Sequence, residues 1–115
     1  MIKRNGQYES EIREKMRGGE GEVKIEHFWN KDEMHANNRL FARLTLPPGS
    51  SIGFHEHNGE EEVFVVVKGR AEADDDGTTV ILETGDTILT GGAGHAIKSI
   101  GEEPLELVAV ISSYT

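Results

Sequence analysis

The 115-residue sequence predicts an all-β fold, a sandwich or barrel, in a single domain. Three observations predict it. Apolar and polar residues alternate with period two in short runs from residue 22 onward. Gly-centred turns separate the runs. No stretch of helical periodicity outlasts two turns. A chain of this length buries about two-thirds of its unfolded surface, enough for one core.

The elements follow in order. Residues 9–17, ESEIREKMR, place Ile12 and Met16 four apart, the spacing of one or two helical turns. The stretch is short, charged and closed by Gly18-Gly19, so it reads equally as an arm lying on a partner subunit. Val23, Ile25, His27 and Trp29 then alternate with Glu22, Lys24, Glu26 and Phe28, a strand with one buried face. Residues 31–38 are polar and read as a loop that leaves His35 solvated. Leu40, Ala42, Leu44 and Leu46 share one face of the next strand, with Arg39, Phe41, Arg43 and Thr45 on the other; Pro47-Pro48-Gly49 stops it. Further strands are expected at about 52–57, 62–68, 70–74, 78–83, 86–90, 95–100 and 105–112. The breaks carry Asn58-Gly59, Gly69, Asp76-Gly77, Gly85, Gly91-Gly92 and Gly101. The strand 62–68 is apolar on both faces, which asks for a second layer outside the barrel, part of it from another subunit.

Composition narrows the function. Lys+Arg is 12 against 21 Asp+Glu, a net charge of −9, with no clustered basic field for nucleic acid. The same acidity disfavours anionic membranes, and no apolar run approaches the roughly 20 residues of a span. The N-terminal MIKRNGQYESE has no signal-peptide hydrophobic region, so a cytoplasmic location is expected. There is no cysteine, which removes disulfides, thiol nucleophiles and Cys-based metal sites.

The chemistry-bearing residues are His55, His57, Glu62 and His95. On an extended strand His55 and His57 project to one side. Asn58-Gly59 can turn the chain so that Glu62 returns beside them. Glu62 shares the parity of Phe64 and Val66, and an inward carboxylate needs a cation or strong donors. His95 follows the Gly-rich run Gly91-Gly92-Ala93-Gly94. Taken singly, an H-x-H pair fits core or surface histidine, Glu60-Glu61-Glu62 fits a solvated charge run, and His95 fits a hydrogen-bonded loop residue. Together they suit a divalent first-row metal, one per chain: Mn, Fe, Ni, Cu or Zn.

These residues resemble the cupin family. Its first motif, G-x5-H-x-H-x3-4-E-x6-G, is matched by Gly49, His55, His57, Glu62 and Gly69. Its second, G-x5-P-x-G-x2-H-x3-N, is matched at Gly92 and His95; Thr90 and Ser99 replace Pro and Asn, and Gly85 falls one residue closer to His95. The chain is similar to compact single-domain microbial cupins labelled oxalate decarboxylase-like. The resemblance implies a double-stranded β-helix, or jelly-roll, barrel over residues 22–115 with an N-terminal arm over 1–21. It also implies His55, His57, Glu62 and His95 as the metal ligands, and a homodimer in which N-terminal segments cross.

Strand parity assigns the substrate-facing wall to Ala42, Phe64, Ile97, Leu107 and Ala109. Arg43 has the outward parity, and no Arg or Lys is expected inside, which counts against a dianion such as oxalate. No separate general base stands out; Tyr8, His27 and Tyr114 qualify only where the termini fold over the mouth. The sequence thus supports a metal-dependent enzyme acting on a small organic molecule, of oxygenase, decarboxylase or isomerase type. The alternatives are a non-catalytic cupin module that binds a metal or small ligand, and an accessory subunit for a partner chain.

Overall fold

A computed structural model describes residues 1–115. The strands are β1 (Glu9–Glu14), β2 (Glu22–His27), β3 (Asn38–Leu46), β4 (Ser51–Glu56), β5 (Glu60–Lys68), β6 (Arg70–Asp75), β7 (Thr78–Leu82), β8 (Thr87–Gly91), β9 (Gly94–Ile100) and β10 (Leu105–Ser113). They form a six-stranded sheet, β1-β2-β3-β10-β5-β8, and a four-stranded sheet, β4-β9-β6-β7, with every pair antiparallel. This is the expected all-β jelly-roll barrel.

The alternation seen in the sequence is the alternation of burial. Val23 and Ile25 of β2, Leu44 and Leu46 of β3, Phe64 and Val66 of β5, and Leu105 and Leu107 of β10 are all buried, and they meet Ile52 and Ile97 from the smaller sheet. Each such side chain removed from water contributes about 1.5–3 kcal/mol before conformational entropy is charged against it.

β1 is where the sequence misled. Residues 9–14 are not helical but form an edge strand, paired Glu9 to His27 through Glu14 to Glu22. All six residues are exposed. A strand that buries no face shows no apolar alternation, and its charged side chains are what a sheet edge carries to discourage further pairing. Residues 1–8 fold over the outer face of β2 and β3. Tyr8 meets Phe28 edge-on at 5.0 Å, Phe28 meets Phe41 at 6.0 Å, and Lys3 Nζ bonds Glu33 Oε1 at 2.6 Å.

Two bulges position the mouth of the barrel. In β4, Ile52 faces Ile97 and His55 faces His95, so Gly53 and Phe54 together oppose Ala96. The extra residue lets Ile52 and His55, three apart, both turn inward. In β3, Leu40 faces Ile111 but Asn38 faces Ser112, which leaves Arg39 as the bulged residue. No helix is long and apolar enough to cross a membrane.

Candidate metal centre

His55 lies near the end of β4, His57 just beyond it, Glu62 on β5 and His95 at the start of β9. Their ligand atoms lie within 4.8 Å of one another. His57 Nε2 is 3.1 Å from His95 Nε2, which is 3.2 Å from His55 Nε2. Glu62 Oε1 is 2.9 Å from His57 Nε2 and 3.1 Å from His95 Nε2. His57, Glu62 and His95 are buried and His55 half-buried. The local backbone explains the register: His57 N–H donates to Ala93 O and Gly92 N–H to His57 O, stapling the first histidine segment to the loop before the third. Phe64 stacks on His95, with centroids 5.0 Å apart and planes 5° from parallel.

Tautomers follow from the partners. His55 Nδ1–H donates to Gly53 O at 2.8 Å, and His57 Nδ1–H donates to Glu60 Oε2 at 2.7 Å. Both acceptors lack a proton to give, so each imidazole spends its N–H there and, when neutral, turns a bare Nε2 lone pair inward. Burial holds the His55 proton affinity below that of a free imidazole, against the Gly53 hydrogen bond; the charges of His95, His57 and Arg17 add to the lowering. Lone pairs and a carboxylate converging at about 3 Å repel one another unless a cation sits among them. The separations also fit one: bonds of about 2.1 Å place adjacent octahedral ligands about 3.0 Å apart, and tetrahedral ligands about 3.4 Å apart. The donor set therefore fits a divalent metal.

Around the histidines runs a charged support. Arg39 Nε and Nη2 donate to Glu60 Oε1 and Oε2 at 2.9 and 2.8 Å. That fork, first of all, pulls the Glu60 carboxyl down to about 2. Glu60 is thus fixed as the acceptor that orients His57. His95 has no such partner: its Nδ1 is buried without a hydrogen bond in the chain, as are the hydroxyls of Thr90, which faces Glu62 across β5–β8, and of Ser99.

A cavity of about 60 Å³ opens over His55, His57 and Glu62. Phe64 lines it, with Ile25, Leu40, Leu44, Ile52 and Ile111. Ala42, Ile97, Leu107 and Ala109, assigned to the same wall, are buried in the core instead. Their parity is inward, but Ala42 and Ala109 face each other across β3–β10, and Leu107 faces Val66, one inward position further from Glu62 than Phe64. Parity gives the face and not the depth.

No Arg or Lys is buried inside the barrel, as expected, but exposed arginines stand at the mouth of the cavity. Arg13, Arg17 and Arg39 all line the cavity. Arg39 does so through its bulge, Arg13 from edge strand β1, and Arg17 from the turn after it. Arg43 does point outward, with Nε on Glu26 Oε1 at 3.0 Å and its guanidinium over Tyr8 and Phe28. Tyr8 is held in that outer cluster, His27 lies 3.7 Å from Glu11 on β1, and Tyr114 packs near Gly91; none of the three lines the cavity.

Comparison with known proteins agrees with this geometry. A family model described as Cupin domain matches residues 42–111. The chain is 42% identical over 112 residues to a Thermotoga maritima protein named oxalate-binding protein, covering 96% of this chain and 93% of that one. It superposes on the crystal structure of a predicted oxalate decarboxylase from Thermotoga maritima with a TM-score of 0.93, 41% identity and coverage of 98% and 99%. KdgF from Halomonas sp. shares the fold, with a TM-score of 0.73, 15% identity and coverage of 95% and 91%. With motif, barrel and sequence likeness in agreement, the chain belongs to the cupin family.

Proposed function

We propose that this cupin holds one divalent first-row metal, Mn, Fe, Ni, Cu or Zn, on His55, His57, Glu62 and His95, and uses it to bind a small carboxylic acid of the oxalate class. The observation that carries the reading is the convergence of three imidazole Nε2 atoms and Glu62 Oε1, with His55, His57 and Glu62 lining the cavity. The arginines on the rim remove the electrostatic objection to an anion. The likeness to an oxalate-binding protein supports the same ligand class. When bound, the metal supplies a Lewis acid to a carboxylate oxygen. The chain's own residues do the rest: Glu60 orients His57, Phe64 stacks on His95, and the apolar wall excludes water.

Binding leads over turnover because the cavity offers no uncommitted acid or base. Glu62 is assigned to the metal, and Glu60 is shared between Arg39 and His57. The second reading is a metal-dependent enzyme of oxygenase, decarboxylase or isomerase type, favoured by the water-excluding wall over an ionic floor. Calorimetric titration of oxalate into metal-loaded protein and into chelator-treated protein tests the first. Binding that requires metal supports it; oxalate binding that ignores the metal contradicts it. Disappearance of oxalate catalysed by the loaded protein alone moves the conclusion to the enzyme.

The proposal includes a homodimer and a cytoplasmic location. Support for the dimer comes from the outer face of β5, where half-buried Val63 and Val65 and exposed Val67 lie beside Val108 and Val110 of β10 and the exposed Leu89 of β8.

A further inference from the structure

The arginines at the cavity rim are not equivalent. Arg13 and Arg39 each pair with a carboxylate, on Glu11 and Glu60 respectively. Arg17 pairs with none, although the chain carries a net charge of −9 and supplies acidic partners throughout. A cation left unpaired at the lip of a cavity, in so acidic a chain, is available to a ligand.

Its placement is built rather than loose. Arg17 sits in the 3-10 turn Met16–Gly18 between β1 and β2. The loop is closed by Lys15 N–H donating to Gly21 O at 2.8 Å and by Gly18 N–H to Lys15 O at 2.9 Å. It is tied to β4 by Ser51 N–H donating to Glu20 O and by Glu20 N–H donating to Ser51 Oγ, both at 2.8 Å. Backbone lies directly on backbone: a Cβ on Gly53 would run into the Arg17 carbonyl, and one on Gly19 into the Ser51 carbonyl. Arg17 itself takes φ 55°, ψ 30°, a left-handed conformation that L side chains adopt at a cost. Strain of this kind persists where surrounding contacts over-determine it, and it clusters at ligand clamps. Here the clamp on β4 adjoins Gly53, whose carbonyl orients His55.

We propose that Arg17 is the second anchor of the site: it receives the distal carboxylate of a short dicarboxylate whose proximal carboxylate lies at the metal, and so makes the site prefer dianions to monoanions. The inference rests on the reading that a carboxylate binds there. Charge decides in its favour. A divalent ion with Glu62 leaves one net positive charge, which a monocarboxylate cancels. Arg17 adds the second, which only a dianion cancels. The cavity is small, about 60 Å³, which favours a short dicarboxylate such as oxalate or malonate.

The test titrates oxalate, malonate and acetate into metal-loaded wild type, Arg17→Gly and Arg17→Lys by calorimetry, with metal content measured on each. Arg17→Gly keeps the left-handed backbone without strain, so the fold is retained. The expected result is unchanged metal content, a loss of at least about tenfold in oxalate or malonate affinity in Arg17→Gly, unchanged acetate affinity, and partial recovery in Arg17→Lys. Equal dicarboxylate affinity in wild type and Arg17→Gly overturns the role of Arg17 and leaves the metal–carboxylate reading standing. A loaded wild type that binds no carboxylate at all overturns both.

Discussion

His57 is held from both ends: its Nδ1–H donates to Glu60 Oε2 at 2.7 Å while its Nε2 lies 2.9 Å from Glu62 Oε1. Two carboxylates thus act on one imidazole, one fixing the tautomer and one lying beside Nε2 at the proposed metal position. Removing the outer one leaves all four ligands in place. Glu60→Gln is therefore expected to keep the fold and weaken metal affinity about 10- to 100-fold, the usual effect of losing a carboxylate behind a ligating histidine. Arg39→Gln, which removes the clamp on Glu60, gives a smaller loss in the same direction. Competition against a coloured chelator measures both. An unchanged affinity in Glu60→Gln would show that the contact does not orient His57.

Acid acts on two groups with opposite ordinary charge but the same sign of effect. Burial keeps His55 neutral below the pH at which a free imidazole takes a proton, so below about 6.5 the unfolded chain binds more protons there than the folded chain does. Stability of metal-free protein falls as pH drops through that range. Glu60, pulled from 4.5 to about 2 by Arg39 and His57, contributes stability that is complete above 4.5 and lost as pH falls toward 2. Urea midpoints at pH 7.5, 5.5 and 3 should decline in that order. Metal affinity should also fall below about pH 6.5, because protons compete for the imidazoles. Equal metal affinity at pH 8 and pH 5 would argue against imidazole ligands.

Gly53 is required by closeness and not by dihedral angle. Its missing side chain is what lets the Arg17 carbonyl lie on β4. Gly53→Ala must push the 15–19 turn outward or shift the bulge that aims His55. A destabilisation of about 1–3 kcal/mol is expected from such overpacking, with weaker metal binding alongside it. Gly77→Ala, where a Cβ meets nothing but φ is 99°, is expected to destabilise through strain alone and to leave metal binding intact. Chemical denaturation paired with metal titration separates the two.

The outer valine face tests the dimer. Val65→Asp and Val110→Lys place charges on half-buried positions of that face without touching the inward core. Each is expected to give a monomer in analytical ultracentrifugation while still taking up metal. A wild-type chain that sediments as a monomer at all concentrations would refute the dimer.

Much of this was legible in the residues, for a physical reason. A strand with one buried face advertises itself by alternation, so the runs through Leu44, Phe64, Ile97 and Leu107 were found as strands. The spacing of His55, His57 and Glu62 around Asn58-Gly59 was likewise enough to gather them. What alternation cannot report is a strand with no buried face, which hid β1 with its Arg13. Nor can it report a bulge. Arg39 has the outward parity of Phe41 and Arg43 until one extra residue in β3 re-aims it at the mouth. Glu60 was readable as part of a solvated acidic run; its position three residues after His57, on the far side of a tight turn, was the available signal. Arg17 carried less still, only a cation ahead of Gly18-Gly19.

The central claim is that four side chains at the barrel floor are a metal centre. Metal content by inductively coupled plasma mass spectrometry, on untagged protein purified without chelator, tests it most directly when His55→Ala/His57→Ala is measured beside it. The account predicts close to one first-row metal per wild-type chain and essentially none in a folded double variant. Metal-free wild type that takes up no metal on titration, or equal metal in both proteins, would contradict it.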